Sequence, residues 1–330
     1  MSNNGGKVVA NLRQKFVSPS NVLQWFPGHM AKGLKQMQQR LKSVDCILEV
    51  HDARVPISGR YADFSRTLLG VKPHIFLLSK KDLIDKNHIK SISSALNREG
   101  LSNVIFANLK NDRCKGAKQV LPLAHKLISN SQRYNRAQEE AYSMMVIGVP
   151  NVGKSSLINR LRGLHLHLGQ ATNVGAVPGI TRSVLTHIKI SEDPLVYLID
   201  TPGILAPTIK DLHAGMKLAL VGCVQDHIVG SYVLADYLLF WLNKNGRFEY
   251  VEKLGLSEPN DSIIYVLTFI AAKQGKTVKI KTSKGHLEIK PDLKFAADYF
   301  LTLFRKGDLG FYCLDIDLLE SSENQQRNLA

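Results

Sequence analysis

Through the first two thirds of the chain, short apolar runs alternate with amphipathic stretches. Apolar runs at 46–50, 74–78, 103–106, 142–147 and 195–199, with an alternating stretch at 183–190, predict strands. Segments 31–41, 61–69, 87–96, 117–129 and 155–161 carry apolar residues at helical spacing and predict helices. Such alternation predicts an α/β fold: a mainly parallel sheet covered on both faces, binding its ligand at the carboxyl ends of the strands. From about Lys210 the strand-like runs give way to helical stripes. Leu212, Met216 and Ala219 form one stripe, and Phe295, Tyr299, Phe300, Leu303 and Phe304 form another, predicting a smaller, mostly helical C-terminal domain. Between the stripes, Lys276 to Thr282 alternates and is followed by Ser283-Lys284-Gly285 and then by His286 to Ile289, the pattern of a β-hairpin. Its Lys276, Lys279, Lys281 and Lys284 read equally as phosphate contacts or as a solvated ribbon. The run Ile263 to Leu267 is too short to span a bilayer and reads as core, so no transmembrane segment is expected.

The chemistry sits where predicted strands end. Gly148-Val149-Pro150-Asn151-Val152-Gly153-Lys154-Ser155 follows one strand and opens a helix. This is a phosphate loop: its backbone, through Asn151, Val152, Gly153 and on to Ser156, turns N–H groups toward phosphate oxygens. Lys154 is placed to reach the outer phosphates, and the Ser155 hydroxyl to hold Mg²⁺. Downstream, Asp200-Thr201-Pro202-Gly203 closes another strand. Its spacing puts a carboxylate beside the metal and the Gly203 N–H near the last phosphate, while Thr181 between the two motifs is placed to complete the Mg²⁺ shell. A guanine reader of the form [NT]-K-x-D is expected after such a switch, but nothing there fits. It stands upstream instead, as Ser79-Lys80-Lys81-Asp82 after the 74–78 strand. Asp82 would accept two hydrogen bonds from the guanine edge and the Lys80 stem would pack on the base. Ser79 stands where Asn or Thr is usual and offers one bond where Asn offers two. A second base-contacting loop is expected at Ala107-Asn108.

Base reader, second base loop, phosphate loop, Thr181 and the Asp200 switch therefore occur in the order of a G domain with its halves exchanged. With Trp25-Phe26-Pro27-Gly28-His29-Met30-Ala31-Lys32, with Asp52-Ala53-Arg54-Val55-Pro56 and Arg60, and with Asp200-Thr201-Pro202-Gly203-Ile204, the chain resembles the circularly permuted GTPases of the YlqF/RbgA type, its mitochondrial ribosome-associated members above all. The resemblance covers roughly residues 22 to 320. Ser79 and the Ala107-Asn108 pair depart from the pattern, since bacterial relatives more often carry a serine-based second loop. The resemblance implies a GTP-hydrolysing factor for assembly of the mitochondrial large ribosomal subunit, acting on its rRNA in the matrix and regulating mitochondrial translation. It implies domains at 1–21 (a basic, targeting-type segment), 22–208 (the permuted GTPase) and 209–330 (helical, docking on rRNA). In this permuted chain the segment after Gly203 is expected to run straight into the helical domain. The resemblance also assigns His29 the catalytic role of orienting water. Ile204, where Ras-like GTPases place a glutamine, cannot form a hydrogen bond there. Asn151 occupies the position of a K⁺ ligand in K⁺-stimulated relatives.

Two other classes stay open on the residues alone: a P-loop nucleotide kinase, and an RNA-docking module with a weak or degenerate nucleotide site. Composition adds a net charge of +15, which suits a polyanionic partner, RNA or an anionic membrane surface, the latter on the resemblance being the matrix face of the inner membrane. No acidic residue precedes Asp45, as in a mitochondrial targeting segment, although arginine is scarce there. The four cysteines lack metal-ligand spacing.

Overall fold

The computed structural model describes residues 12–17, 39–60, 72–133, 136–169, 187–201, 203, 211–281 and 286–319. The Trp25–Lys32 signature with His29, the predicted 61–69 helix, most of the 31–41 helix, Thr181, Ile204 and Ser283-Lys284-Gly285 lie outside these residues.

The chain forms two compact units: residues 26–224 with 311–330, and residues 1–25 with 225–310. The first is built on six strands: β1 (Cys46–Asp52), β2 (His74–Ser79), β3 (Val104–Phe106), β4 (Tyr142–Ile147), β5 (His187–Glu192) and β6 (Leu195–Asp200). Their spatial order is β3-β2-β1-β4-β6-β5, with every neighbouring pair parallel except the β5–β6 edge. The central strands β1 and β4 are almost wholly buried, which explains their largely apolar sequences. Among its described residues this unit carries α1 (His88–Arg98), α2 (Lys115–Ser129), α3 (Lys154–His165) and α4 (Leu212–Leu220). Ile92, Ala95 and Leu96 of α1 pack with Phe76 and Leu78 of β2, and Cys313 and Leu319 from the end of the chain join that cluster.

This arrangement differs from a division at 208/209. Met216, Ala219 and Leu220 of α4 are buried in the sheet unit, and the next turn returns to the phosphate loop, where Asn151 Nδ2 donates to the Gly222 carbonyl at 2.8 Å. Helix α4 and the turn after it thus belong to the sheet unit rather than to the helical one. Residues 311–319 come back as well. Asp315, fully buried, accepts from the Ile57 and Ser58 amides at 2.9 and 2.8 Å and from the Ser58 hydroxyl, and lies 3.3 Å from the Lys217 ammonium on α4. Asp315→Asn turns a charged acceptor into a neutral one, so it should lower the stability of this unit by about 1.5–3 kcal/mol, read from the denaturant midpoint. An unchanged midpoint would show that the clamp contributes nothing.

The second unit is helical: α5 (Asp226–Val229), α6 (Ser231–Lys244), α7 (Glu249–Leu254), α8 (Ile263–Lys273) and α9 (Leu293–Lys306), with the ribbon β7 (Thr277–Lys281) and β8 (Leu287–Pro291) between α8 and α9. Residues 12–17 belong to it. The Phe16 ring meets Tyr237 edge-on at 5.0 Å, and Arg13 pairs with Asp236 and Asp261. Phe300, Leu303 and Phe304 of the predicted α9 stripe are buried, while Phe295 and Tyr299 at its margin stack on each other, half-buried. The Ile263–Leu267 run, expected as core, is only partly so. It is the first turn of α8, and helical periodicity leaves Ile264 and Tyr265 exposed while Val266 and Leu267 are buried. Among the described residues no helix is long and apolar enough to cross a membrane.

Candidate nucleotide site

Parallel strands deliver their carboxyl ends to one edge of a sheet, and each described candidate lies there: Ser79, Lys80 and Asp82 after β2, Ala107 and Asn108 after β3, the phosphate loop after β4, and Asp200 ending β6. The loop needs glycine at its first position. Gly148 has φ +146, and an added Cβ would lie 2.2 Å from the Val50 carbonyl oxygen, so β1 closes one side of the turn. Asn151 takes a left-handed φ of 59°, and Gly153 leads into α3 at φ +99. Gly203 passes so close that a Cβ would be 2.7 Å from the Pro150 backbone, which sets the switch strand directly against the phosphate loop.

Two ionisable groups in this cradle carry opposite, unmet demands. Lys154 at the start of α3 is 7% exposed, and burial pushes its ammonium down to about 8 although Asp200 pulls the other way. Its Nζ donates to the Gly148 and Val149 carbonyls at 3.1 and 2.9 Å, which are dipoles rather than charges. Asp200 is shifted oppositely: burial raises its carboxyl, with Lys154 only partly offsetting this, and Oδ1 has no hydrogen-bond partner among the described residues. A desolvated cation favours an anion and a desolvated carboxylate favours a cation. A Mg²⁺–polyphosphate supplies both at once, so these residues fit that group. Ser155 stands half-buried on the first turn of α3, and Thr201 fixes the end of β6 by donating to the Val146 carbonyl at 2.6 Å.

The base-reading loop is bolted to the phosphate loop. Ser79 is fully buried, and its hydroxyl donates to the Val152 carbonyl at 2.5 Å. This residue therefore faces the phosphate loop, and its short side chain explains why Ser fits where Asn was expected. Lys80, at φ 53, donates from Nζ to the Asn151 carbonyl at 2.9 Å and to Asp52 Oδ2 at 2.7 Å. Asp82 lies exposed in the single turn Lys81–Leu83, open to a base edge. Ala107 is buried, its amide donating to the Leu78 carbonyl and its carbonyl accepting from the Lys81 amide, so the end of β3 is tied to the Lys80–Asp82 loop. Asn108 holds its own turn, with Oδ1 accepting from the Lys110 amide at 3.0 Å.

Asp52 and Arg54, read from the sequence only as part of a signature stretch, lie beside the candidate site, and Asp52 holds Lys80. Arg54 grips the fully buried Asp52 through Nε at 3.0 Å and a second nitrogen at 2.7 Å, and Lys80 takes the same carboxylate. Burial alone would raise this carboxyl, but Arg54 and Lys80 outweigh it and hold it well below the usual carboxylate range. The available signal was an acid and an arginine two residues apart at the end of an apolar strand.

Residues 143–283 match the family model described as 50S ribosome-binding GTPase. Over 298 residues the chain is 54% identical to mitochondrial GTPase 1 of Aedes aegypti, covering 90% of this chain and 94% of that protein. It is 51% identical over 302 residues to mitochondrial ribosome-associated GTPase 1 of Mus musculus, covering 91% and 92% respectively. The crystal structure of GNP-bound YlqF from T. maritima shares its fold, with a TM-score of 0.53 and 24% identity over 84% of this chain and 95% of that one. A base reader placed ahead of the phosphate loop, yet packed against it, is the permuted order that this fold requires, and the chain belongs to the mitochondrial GTPase 1 family of circularly permuted, ribosome-associated GTPases.

Proposed function

We propose that this GTPase is an assembly factor for the mitochondrial large ribosomal subunit, acting in the matrix on the subunit and its rRNA. The observation that carries the nucleotide half of the proposal is the bolt between the two loops, Ser79 on Val152 and Lys80 on Asn151, which supports Asp82 and Lys154 acting on one ligand. The ribosomal half is supported by relatives at 51–54% identity across nine tenths of the chain. Subunit supply would in turn regulate mitochondrial translation. The net charge of +15 supports rRNA contact and also peripheral association with the anionic inner membrane. A nucleotide kinase is not favoured, because its chemistry needs no guanine reader. A degenerate site is not favoured either, because Lys154, Asp200 and Gly203 all stand in place.

In this proposal Ser155, Thr181 and Asp200 hold Mg²⁺, which neutralises charge on the phosphates when bound. Lys154 reaches the outer phosphates, whose negative charge favours the ammonium form that burial disfavours. The Gly203 amide meets the last phosphate, and Ala107 and Asn108 border the base. Asn151 Oδ1 is the atom that would ligate K⁺. Its amide nitrogen, donating to Gly222, ties the same side chain to the segment after α4. His29 orients the attacking water, a role Ile204 cannot fill.

The test is GTP turnover with and without mitochondrial large subunits, in parent and His29→Ala proteins, beside direct nucleotide binding and in K⁺ against Na⁺. Stimulation by subunits, lost by roughly 100-fold in His29→Ala with binding intact, is the expected result. Absence of stimulation in the parent overturns the ribosomal role. Unchanged turnover in the variant removes His29, and equal rates in the two salts at matched ionic strength remove K⁺.

A further inference from the structure

We infer that the β7–β8 ribbon is an RNA-docking blade of the helical unit, with Lys279 and Lys281 taking phosphates while Leu287 and Ile289 pack on sugar and base faces. The inference deepens the ribosomal reading above and rests on it. Antiparallel pairing sets Lys279 opposite Ile289 and Lys281 opposite Leu287. Residues opposite one another share a face, so these four side chains stand together. Thr277 and Pro291 complete that face, which therefore holds no acid. Glu288 lies on the other face, where it pairs with Lys290 at 3.1 Å. Lys279 and Lys281 are about 7 Å apart along the strand, on the order of one phosphate-to-phosphate step.

The ribbon contributes nothing to its own core. Every residue of both strands is exposed, Leu287 at 69% and Ile289 at 68%. An unsupported two-stranded ribbon is marginal in water, and this one is fixed at its base instead. The Lys276 amide donates to Ala271 at the end of α8, and the Asp292 amide donates to the Lys276 carbonyl. The Asp292 carboxylate caps α9 at the Phe295 amide, and the Lys276 ammonium sits 5.3 Å from the centre of the Phe295 ring. A rigidly mounted strip of lysines and aliphatics with no acid on its face is complementary to a polyanion that also has apolar surfaces, which describes RNA. A lipid surface fits less well. Residues 277–291 include no Phe, Tyr or Trp to anchor at a headgroup layer, and the link from Thr282 to His286 is polar apart from glycine.

The test uses the full chain, purified mitochondrial large-subunit rRNA, and vesicles of phosphatidylcholine with cardiolipin. Lys279→Gln with Lys281→Gln should weaken rRNA binding about tenfold and reduce the slope of log K against log salt by roughly 1.5–2. Leu287→Ser with Ile289→Ser should weaken rRNA binding while leaving that slope unchanged. Turnover of GTP without ribosomes should stay at the parent rate in both, because the ribbon lies outside the nucleotide site, and this rate also reports intact folding. Parent-like rRNA affinity in the lysine variant overturns the proposal while leaving the ribosomal role standing. Loss of vesicle binding with rRNA binding intact overturns it in favour of a lipid surface. A parent protein that binds neither rRNA nor large subunits overturns both readings together.

Discussion

Asp82→Asn is expected to weaken GTP binding by about 30-fold or more, roughly 2 kcal/mol, and to create binding of xanthosine triphosphate. The carboxylate presents two acceptors to the two N–H donors of the guanine edge. Asparagine replaces one acceptor with a donor, which meets the guanine amino group with the wrong sign but matches the carbonyl that xanthine carries there. Asp82 is exposed, so the change should leave the sheet unit folded. Its neighbours cannot compensate: Ser79 is turned to Val152, and the Lys80 ammonium is held by Asp52 and Asn151. The measurement is competition of GTP, ATP and xanthosine triphosphate for the parent and variant proteins. Equal competition by GTP and ATP in the parent would show that this loop does not read the base.

Asp52→Ala should cost about 3–5 kcal/mol of stability, because it leaves the Arg54 guanidinium in a buried place without its carboxylate. That is a large share of the ~5–15 kcal/mol typical of a folded domain, about a fifth or more. Replacing both partners together, Asp52→Leu with Arg54→Met, should recover most of the loss, since neither charge is then stranded. Guanine affinity should fall even in the recovered protein, because the Lys80 ammonium loses its Asp52 contact. The pH dependence follows from the sign of the shift. A carboxyl held low in the folded state contributes stability above its unfolded pKa and loses it as pH falls toward the folded value. The denaturant midpoint of the parent should therefore decline on acidification below about pH 4, less steeply once Asp52 is removed. A single variant as stable as the parent would sink the assignment of this pair as the anchor of the base reader.

Much of the sheet was legible because a strand buried on both faces must be mainly apolar, as the runs at 46–50 and 142–147 are apart from the buried Glu49 and Ser143. The phosphate loop was legible because its function requires glycine at fixed spacings, and Gly148 against the Val50 carbonyl shows the steric reason. The alternating ribbon of lysines was legible for a similar reason: period two without a buried face still spells a strand. Less legible were the margins. The strand expected at 183–190 is described over His187–Glu192: it runs two residues past the expected end, because pairing with β6 carries it through Glu192, and 183–186 lie outside the described residues.

The sequence by itself supplied the motifs and their exchanged order: a phosphate loop, the Ser79-Lys80-Lys81-Asp82 stretch proposed to read guanine and the Asp200 carboxylate proposed to face the metal, each legible from local backbone and side-chain requirements over a few residues. Only the tertiary structure decided what joins them. Ser79 reaching Val152, Asp52 shared by Arg54 and Lys80, Asn151 tied to Gly222, and Asp315 returning to Ser58 and Lys217 are all contacts made on folding, three of them across long stretches of chain. Periodicity reports which face of an element is buried, but a polar pair between distant segments leaves no periodic trace. Its existence depends on where two loops meet when the strands that carry them pack side by side.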